Sequence, residues 1–145
     1  MAGRTGAEEE RLRVRTRKCD AGIQRGRLFK ANQFIEAAAM IGELADEHDD
    51  VADAYVTLCV HAGIAASDVI CCARLGEHAQ GENHEEAIGL LARADKEIAK
   101  HLRTLLKLKT KAGYSHTPAT AEEFKRAGRA AETLVETARR VTNVR

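Results

Sequence analysis

The stretch DVADAYVTLCVHAGIAASDVICCARLG, Asp50 to Gly76, decides the fold. Tyr55, Leu58, Cys59, Ala62, Ala65, Ala66, Val69, Ile70 and Ala73 recur at spacings of three and four, laying one apolar face along a helix. Val56, Val60, Ile64, Cys71 and Leu75 add much of the remaining circumference. A helix apolar nearly all round belongs in the middle of a bundle or in a dimer seam. Ala62, Gly63, Ala65, Ala66 and Ser67 are small enough to let another backbone approach closely, at some cost in helix propensity at Gly63. Residues 54 to 73 hold one acid and no base, so a membrane span has to be weighed. Their Ala, Gly, Ser and Thr content, with His61 and Asp68 among them, makes a poor span, and no membrane association is expected.

Upstream of this segment, Leu28, Ala31, Phe34, Ile35, Ala38, Ile41, Gly42 and Ala45 place an apolar stripe on a first long helix, about Gln24 to Glu47. His48, Asp49 and Asp50 interrupt it, and either aspartate is expected to cap the second helix and favour its positive end. Downstream, Gly76 and Gly81 mark a helix end and a loop. Asn83 and Glu86 have capping-box spacing and open a third helix, with Ala87, Ile88, Leu91 and Ala94 inward. Asp95 falls where that register needs a core residue, which places a break near it and a fourth helix through Ile98, Leu102, Leu105, Leu106 and Leu108. One unbroken helix is the alternative. Gly113 to Pro118 read as a loop, because proline disfavours helical geometry in the residue before it. Thr120 and Glu123 form a second capping box, opening a last helix with Phe124, Ala127, Ala131, Leu134, Val135 and Ala138 inward.

The expectation is an all-α, up-and-down bundle of about five helices without internal repeats. Residues 24–142 form its single domain, and residues 1–23 a basic, partly flexible arm bearing Arg11, Arg13, Arg15, Arg17 and Lys18. Composition agrees. A chain of 145 residues suits one compact domain, and a single Pro with 3% aromatics argues against a β-sandwich. The net charge of +1 conceals three blocks: +5 over residues 1–30, −8 over residues 31–73, which hold no Lys or Arg, and +4 over residues 74–145. Such asymmetry suits an anion on one surface and self-association or a basic partner on another. Cys19, Cys59, Cys71 and Cys72 contain no C-x-x-C pair, and adjacent Cys71 and Cys72 point about 100° apart on a helix. With a Gly- and Arg-rich start lacking an apolar h-region, they read as reduced thiols used as small core residues in a cytoplasmic protein.

Function has to come from local features. No acidic residue lies between Glu97 and Glu122, whereas Lys100, Arg103, Lys107, Lys109 and Lys111 fall within twelve positions. Lys100, Arg103, Lys107 and Lys111, spaced by three or four, line one side of the fourth helix opposite the leucines. Clustered cations suit a phosphate backbone or nucleotide, with Tyr114 able to stack on a base. The plainer reading is a solubilising face. Asp68 needs a partner, since an unpaired buried carboxylate costs several kcal/mol; Arg74, or a fourth-helix cation such as Arg103, is expected to supply it. His61, His78, His84 and His101 lack metal spacing, and neither a metal nor a cofactor is expected.

Three runs together resemble a HEPN domain: Ala62 to Gly76; Glu85-Glu86-Ala87 with Leu90-Leu91; and Leu105-Leu106-Lys107-Leu108-Lys109-Thr110-Lys111-Ala112-Gly113-Tyr114 before a Thr-capped helix. The likeness covers about residues 24 to 142. It implies an up-and-down bundle, commonly dimeric, acting as a metal-independent endoribonuclease of a toxin–antitoxin or defence system, or as a non-catalytic nucleotide-binding module or nucleotidyltransferase partner. The family's signature is an Arg followed after four to six residues by a His. Here His116 follows Lys111 after four residues, or Lys109 after six, with a Lys in the place of the Arg. His can move a proton at a ribose 2′-hydroxyl, but Lys lacks the guanidinium fork that orients a phosphate, so the resemblance implies weakened or absent cleavage. An antitoxin or a nucleotidyltransferase is the protein partner it implies. A second class of function is a non-catalytic scaffold that binds a partner through its central helix.

Overall fold

The structure, a computed structural model, describes residues 15–142. Five helices carry the fold: α1 (Ala21–Leu44), α2 (Ala52–Leu75), α3 (His84–Ala94), α4 (Lys96–Tyr114) and α5 (Ala121–Thr142). Two three-residue strands, β1 (Thr16–Lys18) and β2 (Glu77–Ala79), make the only sheet among the described residues. The helix starts follow their side chains. Asp20 accepts from the amide of Ile23 to begin α1, Asn83 from Glu86 to begin α3, and Asp95 from Ile98 to begin α4. Asp95 therefore both ends α3 and caps α4, so the helix breaks there. At α5 the capping box is reciprocal: the Glu123 amide donates to Thr120 Oγ1 at 3.1 Å, and the Thr120 amide donates to Glu123 Oε1 at 2.9 Å.

The all-round apolar helix is the centre of the bundle. α2 is packed by α1, α4 and α5, and Val56, Cys59, Val60, Val69 and Ile70 are sealed from solvent. Each such aliphatic side chain contributes roughly 1.5–3 kcal/mol by leaving water. The small-residue patch is filled from within the same chain: a Cβ at Gly63 would run into Leu105 of α4 and Leu134 of α5. It therefore serves internal packing and leaves no seam there for a second molecule. α2 is long and apolar enough to cross a membrane, yet two thirds of that stretch is buried inside the bundle.

Several expectations are corrected. Asp49 and Asp50 lie in a 3-10 turn, His48–Asp50, and Val51 takes the cap position of α2 with no side-chain hydrogen bond. The basic arm is structured where it is described. β1 pairs antiparallel with β2, Arg17 opposite His78, and α1 already begins at Ala21; residues 1–14 of that arm lie outside the described residues. The reading of all four cysteines as reduced thiols fails for Cys19 and Cys72, which form a disulfide joining the end of β1 to the last turn of α2. Cys59 and Cys71 are the free, buried thiols, and burial pushes both up to about 12. The cytoplasmic expectation rested partly on reduced cysteines, and for Cys19 and Cys72 that part does not hold.

Candidate nucleic-acid interface

The fourth helix carries the cations as its spacing requires, but their surroundings differ. Leu102, Leu105, Leu106 and Leu108 bury one side of α4, leaving Lys100, Arg103 and Lys107 exposed on the other. Lys100 meets Glu97 at 3.4 Å and Arg103 meets Glu85 at 3.5 Å, both exposed pairs worth little in water. Lys107 has no acidic partner within ion-pair distance among the described residues. Lys109 points elsewhere. With Thr57, Val60 and His61 of α2 and with Gly113 and Tyr114, it lines a cavity of about 150 Å³ between the two helices. Tyr114 stands 84% exposed at the mouth of this cavity, an aromatic face turned to solvent.

His61 belongs to this cluster although no local pattern places it there, because its partners come from a helix some fifty residues away. Its ring packs against Phe34 of α1, centroids 5.5 Å apart. His101, also on α4, has its pKa lowered by burial and by neighbouring Lys100.

Lys111 and His116, the pair matching the catalytic signature, are treated very differently by the fold. Lys111 Nζ donates to Glu123 Oε1 at 2.7 Å, and both side chains are largely covered. The same oxygen serves the α5 capping box, so one carboxylate closes the helix start and neutralises the lysine. The Lys111 hydrogen bond, with those from Thr120, holds the Glu123 pKa below the usual carboxylate range. His116 is exposed in the loop between α4 and α5, and no hydrogen bond among the described residues orients its ring. That loop is anchored beside it: Ser115 Oγ accepts from the Thr117 amide, and Asp53 of α2 accepts from the Ala119 amide at 2.9 Å. Asp53 thus holds the loop after α4, a role that no local pattern announces.

Asp68 is paired, though with neither expected residue. Arg27 of α1 reaches it, Nε donating to Oδ2 at 2.9 Å and Nη2 forming an ion pair with the same oxygen at 2.9 Å. Arg103 is taken by Glu85. Burial raises the Asp68 pKa, while Arg27 and then His78 pull it down. Asp68 therefore fixes α1 on α2 and does not orient the cations of α4. No group of three or more His, Cys, Asp or Glu side chains converges as a metal site among the described residues. No protein-family model matches the chain, and no curated protein matches its sequence.

Proposed function

We propose that this protein binds RNA or a nucleotide at the C-terminal end of α4, as a HEPN-like domain in which binding has outlived cleavage. One observation carries the reading: Lys107 has no acidic partner among the described residues, while Lys109 and exposed Tyr114 share a cavity with His61. Unneutralised ammonium groups attract phosphate, and a solvent-facing tyrosine offers a stacking surface for a base of any identity. The ion pair of Lys111 with Glu123 supports binding over cleavage, because it occupies the amine that would meet the scissile phosphate. An unoriented His116 supports it too, since a general base needs a fixed approach to the proton it removes. A toxin–antitoxin or defence setting, with an antitoxin or nucleotidyltransferase as partner, belongs to the same proposal and rests on the resemblance alone.

The test is fluorescence anisotropy with a labelled single-stranded RNA across a salt series. Wild type is expected to bind with a negative salt slope. Lys107→Glu with Lys109→Glu is expected to weaken binding at every salt concentration and to reduce the slope by about 0.7 for each phosphate no longer neutralised. Unchanged affinity in that folded variant defeats the assignment. Cleavage of the same RNA that disappears in His116→Ala would instead restore the nuclease reading.

A further inference from the structure

α1 has apolar residues on two opposite faces, and only one of them is covered. Ala31 and Ala38 sit on α2, with Leu28, Phe34 and Ile35 packed partly beside them. On the far side, Phe29 is 68%, Met40 60% and Leu44 83% exposed. At 100° per residue these three, with Gln33, Glu36 and Ala37 between them, form one continuous outward stripe. Together Phe29, Met40 and Leu44 are three of the four large exposed hydrophobic residues of the described chain, all gathered on a single helix face. Isolated exposed apolar residues need no explanation, whereas an aligned set marks a surface that is covered in use.

The order of residues along the stripe says what covers it. Reversed end for end, the stripe lands on itself: Phe29 falls opposite Leu44, Gln33 opposite Met40 and Glu36 opposite Ala37, all about one centre. Charge has the same end-to-end complementarity. Arg25 and Lys30 make the beginning of α1 basic, Arg27 being turned inward onto Asp68, while Glu43, Asp46 and Glu47 make its end and the following turn acidic. A parallel pairing sets like charges together at both ends. An antiparallel pairing sets each basic end on an acidic one, as an isologous two-fold interface requires.

We propose that the outward face of α1 is a self-association surface, on which a second copy of this chain lays its own α1 antiparallel, with the dyad passing between Glu36 and Ala37. This surface is independent of what the end of α4 binds. The dimer contact thereby moves from the small-residue face of α2, which the bundle fills, to the helix the bundle leaves half bare. One helix pair falls at the low end of specific interfaces, below about 1,200 Å² of total buried surface, so the dimer dissociates on dilution.

Sedimentation velocity of the full chain over a wide concentration range is expected to show a reversible monomer–dimer equilibrium. Met40→Glu with Leu44→Glu, both at exposed positions and so leaving the fold intact by circular dichroism, is expected to shift the midpoint upward at least tenfold. Arg25→Glu with Lys30→Glu is also expected to weaken the dimer, and adding Glu43→Lys with Glu47→Lys is expected to restore it. Direction is read by mild oxidation of single-cysteine variants, because Cys59 and Cys71 are buried and Cys19 and Cys72 are already paired. Ala37→Cys, beside the dyad, is expected to cross-link to its own copy. Leu44→Cys lies many ångströms from its counterpart and is not. A chain monomeric throughout, a dimer indifferent to Met40→Glu with Leu44→Glu, failure of the double charge reversal to rescue, or efficient self-linking at Leu44→Cys would each overturn the proposal.

Discussion

α1 and α2 are antiparallel neighbours of equal length, 24 residues each, held in place by different means. α2 buries thirteen residues and α1 two, so hydrophobic burial alone secures the first and cannot secure the second. The cover is fastened instead by discrete ties. Arg27 reaches Asp68, the Phe34 ring lies on His61, Arg139 of α5 donates to Asn32 at 2.8 Å, and the Cys19–Cys72 bridge anchors the residues just before α1 begins. A core helix is thus specified by shape and apolar area, a cover helix by a few polar and covalent links.

The sharpest contrast is expected from truncating side chains on the two helices. Ile70→Ala on α2 removes a fully buried side chain and should cost about 4 kcal/mol in chemical denaturation, within the usual range for such cavities. Phe29→Ala on α1 should stay within about 0.5 kcal/mol for the monomer, because that ring is already in water. Equal costs would erase the distinction between core and cover.

The next largest effect should come from the bridge. It closes a loop of 53 residues, for which chain entropy allows a stabilisation of up to about 4 kcal/mol, with about 3 kcal/mol typical. Cys72→Ser should lower stability by that amount and raise hydrogen exchange along α1 more than along the middle of α2. Wild type unfolded without reductant should show two reactive thiols, Cys59 and Cys71, and neither should react while the protein is folded. Four thiols in that titration would remove the bridge from the comparison.

A smaller, pH-dependent effect should follow loss of the Arg27 tie. Asp68 has its folded-state pKa raised, so its contribution to stability is fully present below the unfolded value and is lost as pH rises through the folded one. Arg27→Met removes the compensating cation and deepens that loss. The variant should therefore match wild type most closely near pH 4 and fall behind towards neutrality. The deficit there should be about 2 kcal/mol, below the cost of breaking a fully buried pair because Arg27 is 29% exposed. A deficit independent of pH would show that Arg27 acts through packing alone.

What the sequence revealed follows the same division. The caps at Asn83 and Thr120, the break at Asp95, the helix end at Gly76 and the apolar periods of α2, α4 and α5 are local signals, and each stands where its spacing puts it. The Cys19–Cys72 bridge, the Arg27–Asp68 pair and the hold of Asp53 on Ala119 join residues 41 to 66 positions apart, and nothing near either partner announces the other. β1 and β2 were invisible for the same reason, since three residues become a strand only when a distant partner supplies the other half of the ladder. At the candidate interface the cations of α4 were legible as a row. Their different environments were not: Glu123, three residues into the next helix, claims Lys111, whereas His61 joins Lys109 from across a groove.

The embrace of α2 by α5 has a further consequence during synthesis. Phe124, Leu134, Val135 and Ala138, which close the bundle over the central helix, are all made after the other four helices. Until α5 has left the ribosome, the most apolar segment of the protein lacks one of its three covering helices. At about 5–20 residues per second, the 22 residues of α5 take roughly one to four seconds to translate. During that interval the nascent chain offers chaperones an aliphatic helix bare on the side that α5 will cover, so a premature stop ahead of Ala121 yields a client for proteolysis.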